Sequence, residues 1–383
     1  MKIVYYCQNV LGIGHVHRSM ELCRAFATHH DVTMITGGAP LHSQPFQFSH
    51  FQLPGLMMDS NFANLAPHDP GRELEEVKNQ RRELLLDFFL QNKPDVFLVE
   101  LYPFGRKAFR FELDPVLEGI RNGDLPSCQV YCSLRDILVE RSDQQKFEQR
   151  IITSINDHFD GLLIHGDEGF IPLQATFSRM DDISIPFAYT GYVTSETSRK
   201  TRIDVRYELG ISADTRLLVA SIGGGNVGSE LLFKVVAAFD LLDDKRYAMK
   251  IFSGPYASID DIKRLKNLEG DAISVEKFSP HFKDWLMAAD LSVSMAGYNT
   301  TMDILSTGVP ALVYPFNQNQ EQALRIEHLE KLVPIKKLNI NDLKAEKLAA
   351  LIKEQQLRRR FDSPISLNGS SNTLQMIEKW WGQ

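Results

Sequence analysis

Two residue patterns that would mark a secreted scaffold or a metalloprotein are absent from this chain. Of its 383 residues only four are cysteine. Cys7, Cys23, Cys128 and Cys132 form no C-x-x-C, and no histidine cluster accompanies them. That excludes a disulfide framework, and no metal is expected. Cys128 and Cys132, in the strand-like SCQVYCSL, are expected as small buried hydrophobes. Long apolar runs are missing too, since no stretch approaches the ~18–20 residues of a membrane-spanning helix. The opening MKIVYYCQN turns polar too early for a secretory signal. The expectation is a cytoplasmic chain, with no transmembrane segment, that is at most peripheral to the inner face of the membrane. Basic charge is the third shortage. Lys and Arg number 42 against 49 Asp and Glu, a net charge of −7. A nucleic-acid partner, whose phosphates require a basic surface, is therefore not expected.

What is present is an alternation of short apolar runs with helical patterns. Strands are expected at Lys2–Cys7, Asp31–Thr36, Asp95–Glu100, Gln129–Leu134 and Gly161–His165. Others are expected at Leu217–Ile222, Ala248–Ser253, Ala272–Phe278, Leu291–Ser294 and Ala311–Tyr314. Most are apolar without alternation, as parallel strands buried on both faces are. Helical periodicity fills the gaps, as in Phe147–Phe159, Glu230–Leu242 and Glu321–Leu332. The fold class is α/β, with two doubly wound parallel-sheet, Rossmann-like domains. The polar stretch TGYVTSETSRKTRIDVRYELG separates them. The expected division is residues 1–190, a linker at 191–210, and residues 211–383, with a last helix, Thr373–Trp381, that crosses back to the first domain. Arg358, Arg359 and Arg360 read as a solvated helix end.

The most informative stretch is Ser294–Arg325, SMAGYNTTMDILSTGVPALVYPFNQNQEQALR. It reads as strand, glycine turn, helix, strand, loop and helix, with its polar residues where the strands end. Open α/β sheets bind ligands there. Gly297 allows a tight turn. Asn299, Thr300 and Thr301 offer exposed N–H groups and hydroxyls at a helix N-terminus, suited to an anion. Asp303, placed in the first turn, can accept from a ribose diol. The six hydrogen-bonding side chains Asn317–Gln322 suit a polyhydroxylated ligand better than a packed core.

The pattern G-x-N-T-x-x-[DE]-x-L-x-x-G-x-P followed by P-x-x-x-x-x-E-Q-x-x-R resembles the donor site of GT-B glycosyltransferases. The pattern is similar to that of glycosyltransferase family 28, which includes the peptidoglycan N-acetylglucosaminyl transferases. The resemblance implies that Asp303 binds the nucleotide ribose, although most members carry Glu there. It implies that Glu321 and Gln322 bind sugar hydroxyls, and that backbone near Phe278 reads the base. Metal-dependent glycosyltransferases of the other common fold use an Asp-x-Asp motif, which this sequence lacks.

Each domain opens with a glycine loop. In the second, Gly223, Gly224, Gly225 and Asn226 precede a helix and suit a diphosphate. The run also satisfies G-x-G-x-x-G, but the next strand ends Ile251-Phe252-Ser253-Gly254-Pro255, without the acidic residue an NAD site requires. In the first, LGIGHVHR places Gly14 and His15 after the first strand. The resemblance implies that Gly14 belongs to the site and that a histidine here faces the inter-domain cleft. A helix N-terminus keeps an imidazole neutral and able to accept a proton. His15 is thus the candidate base, with His17 its rival. Arg18 reads as a surface arginine or a phosphate contact. Glu100, Arg135, Asp136, His165 and Asp167 end strands and are candidates for orienting His15, for binding the acceptor or for acting as the base. His281 follows Phe278 as a further candidate.

The expectation is an inverting glycosyltransferase that needs no metal or other cofactor. A nucleoside-diphosphate sugar is its co-substrate, UDP ahead of TDP, and the acceptor is a hydroxyl of a glycan or lipid-linked molecule. The apolar run Phe46–Pro67 reads as partly buried loop, with an acceptor surface as the other reading. Two alternatives stay open. One is a nucleotide-sugar hydrolase, since Gly12-x-Gly14-His15-Val16-x-Arg18 resembles the loop of the hydrolase of pseudaminic acid synthesis. The other is a non-catalytic nucleotide-sugar-binding protein.

Overall fold

The computed structural model describes residues 1–8, 14–40, 47–58, 64–138, 143–195, 200–225, 227–316 and 320–382. Asn226, Gly12 and Asn317–Asn319, all named above, lie outside the described residues, as do parts of the 46–67 run. The chain forms two compact units, Met1–Val193 with Asn368–Gln383, and Thr194–Leu367.

Unit 1 holds strands β1 (Lys2–Tyr6), β2 (Asp31–Thr36), β3 (Ser49–Gln52), β4 (Leu56–Met58), β5 (Leu65–Pro67), β6 (Val96–Glu100), β7 (Gln129–Arg135), β8 (Gly161–His165) and β9 (Phe187–Tyr189). Its helices are α1 (Gly14–Ala27), α2 (Leu74–Asn92), α3 (Arg110–Asn122) and α4 (Gln144–His158). The sheet runs β3-β2-β1-β6-β7-β8-β9, parallel at every pairing. Strand order reverses between β1 and β6, where a doubly wound sheet opens a crevice at its carboxyl ends. Alternation along the strands divides the core. Val4, Tyr6, Phe97 and Val99 pack with α2, α3 and α4. Ile3, Tyr5, Cys7 and Leu98 face α1.

Unit 2 contains α5 (Arg202–Glu208), β10 (Arg216–Ser221), α6 (Ser229–Asp240), β11 (Tyr247–Phe252), α7 (Ile259–Lys266), β12 (Ile273–Glu276), α8 (Phe282–Ala288), β13 (Leu291–Met295), α9 (Tyr298–Thr307), β14 (Ala311–Tyr314), α10 (Gln320–Leu329), β15 (Ile335–Lys337) and α11 (Ala345–Gln355). Its parallel sheet runs β12-β11-β10-β13-β14-β15. The order reverses between β10 and β13. A last helix, α12 (Gly369–Trp381), belongs to unit 1. Leu374 and Ile377 complete its α1-side core, and the Trp380 ring lies 5.4 Å from that of Tyr131.

Several expectations change. The stretch read as a linker contains α5, started by a capping box in which Thr201 and Asp204 bond each other's backbone N–H. Strands β3, β4, β5, β9 and β15 were not expected, each being only three or four residues long. Arg360 is not solvated. Its guanidinium donates to the carbonyls of Thr307 (2.6 Å), Met287 (2.6 Å), Ala289 (2.5 Å) and Leu286 (3.0 Å), tying together the ends of α8 and α9. Burial lowers its pKa to about 10. The four cysteines are buried and free. No helix among the described residues is long and apolar enough to cross a membrane.

Candidate functional site

In unit 1 the strand-order reversal is occupied by a charged cluster. His15 lies in the first turn of α1, after β1, and Glu100 is the last residue of β6. His15 Nδ1 is 2.6 Å from Glu100 Oε1. Arg18 donates to the same oxygen at 2.5 Å, and Arg106 Nε lies 3.7 Å from Oε2. The geometry follows from the helix and the sheet. Residues 15 and 18 share a helix face, and β1 and β6 are adjacent strands. Burial alone would raise the Glu100 carboxyl, but His15, then Arg18 and Arg106, outweigh it and hold the group well below the ordinary carboxylate range. Burial pushes the His15 imidazole down. Glu100 opposes that, Arg106 and Arg18 add to it, and the result is about 4. At neutral pH the pair is therefore an ionised carboxylate and a neutral imidazole. The carboxylate can only accept, so Nδ1 carries the proton and Nε2 holds the free lone pair. The His15 side chain keeps 24% of its surface exposed, enough for a substrate hydroxyl to reach it.

Arg18 is corrected by this arrangement: it is buried and serves Glu100. His165 is corrected as well. It is fully buried, bonded through Nε2 to the Ser133 hydroxyl (2.6 Å) and through Nδ1 to that of Thr190 (2.9 Å). Burial, then Arg18, lower it to about 3 against the pull of Glu100. It is a core residue, as is the buried Asp136. Burial, then Arg24, lower His17. Glu100 was one of five strand-end candidates, and nothing in the sequence set it above the others. Arg106 carried no signal at all.

In unit 2 the reversal is flanked by the two other motifs. Gly223, Gly224 and Gly225 follow β10, and Gly297 follows β13. The glycines divide by what surrounds them. Gly225 has φ +90, and a Cβ there would stand 2.5 Å from the Ser253 carbonyl oxygen and 2.8 Å from the Ala257 nitrogen. This glycine is required by the loop packed against it. Gly297 has φ −60 and ψ 145, open to any residue, and its Cβ would meet nothing within 4 Å. Neither backbone nor packing accounts for glycine at 297.

Helix α9 starts at Tyr298, so Asp303 sits in its second turn rather than its first. The Thr194 hydroxyl lies 3.5 Å from the Asp303 carboxylate. Lys283 Nζ lies 3.4 Å from the same hydroxyl and donates to the Ser195 carbonyl at 2.5 Å. Thr194 and Lys283 carried no sequence signal. Asn299 is half-buried and Thr300 buried. Thr301 is also buried, so its hydroxyl is not offered to solvent as expected. Glu321 is buried on α10, and Gln322 Oε1 accepts from the Phe316 N–H at 3.0 Å. Arg325, one turn beyond Glu321, is fully buried with its guanidinium 5.3 Å from the Tyr298 ring centre. Phe278 is exposed by 42%. His281 is largely exposed and lies 3.5 Å from Asp284. No group of three or more His, Cys, Asp or Glu among the described residues could hold a metal ion.

Residues 219–375 match the family model described as the glycosyltransferase family 28 C-terminal domain. The chain is family-28-like. Two curated relatives are the UDP-N-acetylglucosamine–N-acetylmuramyl-(pentapeptide) pyrophosphoryl-undecaprenol N-acetylglucosamine transferases of Aquifex aeolicus and Vibrio cholerae. They are 25% identical over 153 and 132 residues. These matches cover 39% and 34% of this chain and only 43% and 37% of the relatives. Whole-chain similarity is structural. The kitacinnamycin glycotransferase superposes with a TM-score of 0.62 at 14% identity, covering 99% of both chains. MurG from Acinetobacter baumannii gives 0.61 at 15%, covering 99% of this chain and 100% of its own. The calicheamicin glycosyltransferase gives 0.61 at 14%, covering 100% and 98%. The fold of this family-28-like chain is GT-B, two Rossmann-like units.

Proposed function

We propose that this family-28-like protein transfers a sugar from a nucleoside-diphosphate sugar, UDP ahead of TDP, to a hydroxyl acceptor, with inversion and without a metal. The observation that carries this reading is the His15–Glu100 pair. Direct inversion requires the acceptor hydroxyl to lose its proton as it attacks the anomeric carbon from the face opposite the leaving diphosphate. A neutral imidazole with Nδ1–H held on a buried carboxylate presents Nε2 for that proton, and Glu100 stabilises the imidazolium that results. Arg18 and Arg106 keep Glu100 ionised, so they act as positioning residues. On unit 2 the donor role falls to Gly223, Gly224, Gly297, Asn299, Thr300, Asp303, Glu321 and Gln322, with the base near Phe278. The N-terminus of α9 would face the diphosphate with its positive end.

The test is in two steps. The first is thermal stabilisation by UDP, TDP, GDP and NAD, repeated on Asp303→Ala. A uridine or thymidine nucleotide should stabilise the wild type and lose most of its effect in the variant. Stabilisation by NAD alone would end the reading. The second is donor turnover with and without an acceptor panel. His15→Gln should lower kcat by ~10²–10⁴, the usual weight of a general base. Sugar release that needs no acceptor would identify a hydrolase instead, and binding without turnover a binding protein.

A further inference from the structure

An open groove runs between α3 and α4 of unit 1, enclosing about 650 Å³. Both helices pack on the sheet face opposite α1, so the groove is separate from His15. Its volume is in the range of small-molecule sites. Its charge is unusual for this chain. Lys107, Arg110, Lys146, Arg150 and Arg179 line it against Asp114 and Glu118, and Arg179 also pairs with Asp182 at 2.5 Å, so five positive charges less three negative leave a surplus of two on a chain of net −7. Asp114 is already engaged, accepting from the Tyr102 hydroxyl and from Arg110 Nε at 2.9 Å. Lys107 and Lys146 are exposed and make no ion pair among the described residues.

Two further features point to an anion. Lys107 lies in the 3-10 turn that leads into α3, Arg110 is the first residue of α3 and Lys146 stands in the first turn of α4, and neither helix has a side-chain cap on its N-terminal N–H groups. Both positive helix ends therefore add to the cationic side chains. The chain entering α3 is also strained. Leu101 and Arg106 hold left-handed φ values of 68 and 56, and the Gly105 N–H bonds the Leu101 carbonyl at 2.8 Å. Such backbone in non-glycine residues is kept where a fixed shape is used. Beyond the cations, Gln149, whose Oε1 accepts from Arg179 at 2.7 Å, and Thr153, whose hydroxyl donates to the Gln149 main-chain carbonyl at 3.1 Å, add polar groups to the lining.

We propose that this groove binds a phosphate ester of a small polyhydroxylated molecule, either free or as a lipid headgroup, independently of sugar transfer. The full chain would be titrated calorimetrically with fructose 1,6-bisphosphate and with glycerol 3-phosphate. In parallel it would be floated with phosphatidylglycerol vesicles against phosphatidylcholine vesicles. Binding to a soluble ester assigns a free ligand, and binding only to phosphatidylglycerol assigns a headgroup. In either case the affinity should fall at least tenfold in Lys107→Glu/Lys146→Glu, with folding unchanged by circular dichroism. It should be unaffected by Gly297→Ala, whose change lies in unit 2. The proposal is overturned if no probe binds, if the double variant binds like the wild type, or if Gly297→Ala abolishes binding. None of these readouts depends on turnover, so the result stands apart from the transferase reading.

Discussion

Replacing Gly297 by alanine separates the demands of the fold from those of a ligand. At φ −60 and ψ 145 the backbone accepts any L-residue, and the new methyl would meet nothing within 4 Å. Two small effects oppose each other. Alanine restricts the unfolded chain, worth about 0.4–1 kcal/mol of stabilisation. Gly297 is also the N-cap of α9, where alanine is poorer than glycine by about 0.5–1 kcal/mol. The net should lie within about 0.5 kcal/mol of zero, a Tm change under about 2 °C for a unit of this size. Nucleotide binding should respond quite differently. At a nucleotide concentration ~100 times Kd, mass action stabilises the wild type by about 2.7 kcal/mol. If the methyl occupies space the diphosphate needs and raises Kd ~100-fold, RT ln 2 leaves about 0.4 kcal/mol. The assay is a melt with and without UDP or TDP, whichever stabilises the wild type. A normal melt without ligand and a ligand shift reduced to about a sixth is the expected result. An undiminished shift would refute the argument that glycine at 297 serves a ligand. Gly225→Ala is the contrasting control. At φ +90, with a backbone oxygen 2.5 Å from the new Cβ, it should destabilise by more than the ~1–2 kcal/mol of left-handed strain alone.

Four other outcomes follow from buried charge. Because burial depresses His15 to about 4, kcat/KM should stay nearly flat from pH 7.5 to 5.5, where an ordinary imidazole of pKa ~6.5 would be only ~10% neutral. A tenfold loss by pH 5.5 would contradict the environment described. His165, depressed to about 3, favours the native state fully above pH ~6.5 and loses that contribution as pH falls toward 3. Arg81 and Glu112 are both fully buried and paired at 2.5 Å, with Arg81 also bonding the Gly37 and Pro54 carbonyls at 2.8 and 2.6 Å. Arg81→Met should cost about 3–5 kcal/mol in urea unfolding of unit 1, and Arg81→Met/Glu112→Leu should recover much of it. Less than ~1 kcal/mol for the single variant would mean that water compensates Glu112. Arg360→Ala strips the donors from four carbonyls and should destabilise unit 2 by about 2–4 kcal/mol without altering nucleotide affinity, checked by the same melts.

How far the sequence could carry these conclusions depends on which property each residue expresses. The central strands were legible because parallel strands buried on both faces must be apolar throughout. The edges were not, since β3 (SHFQ) and β15 (IKK) are short and half-exposed. The reversal points of both sheets were legible through their glycines, and His15 through its place after β1. What remained hidden was partnership across distant segments. Glu100 is 85 residues from His15, and nothing local distinguishes it from Asp136, which folds into the core. Arg18 and Arg360 look like any surface arginine until the carboxylate or carbonyls they serve are in place. Glycine shows the same limit most sharply. Gly225 and Gly297 stand in equally persuasive motifs, yet the first is required by the Ser253–Ala257 backbone and the second by no neighbouring atom. A motif therefore overstates its ligand-facing residues by those the fold itself demands, and only the surroundings of each missing Cβ separate the two. On that criterion, of Gly223, Gly225 and Gly297, it is Gly297 that the proposed donor site has to explain, since Gly223 sits at φ +66 and Gly225 is packed against backbone.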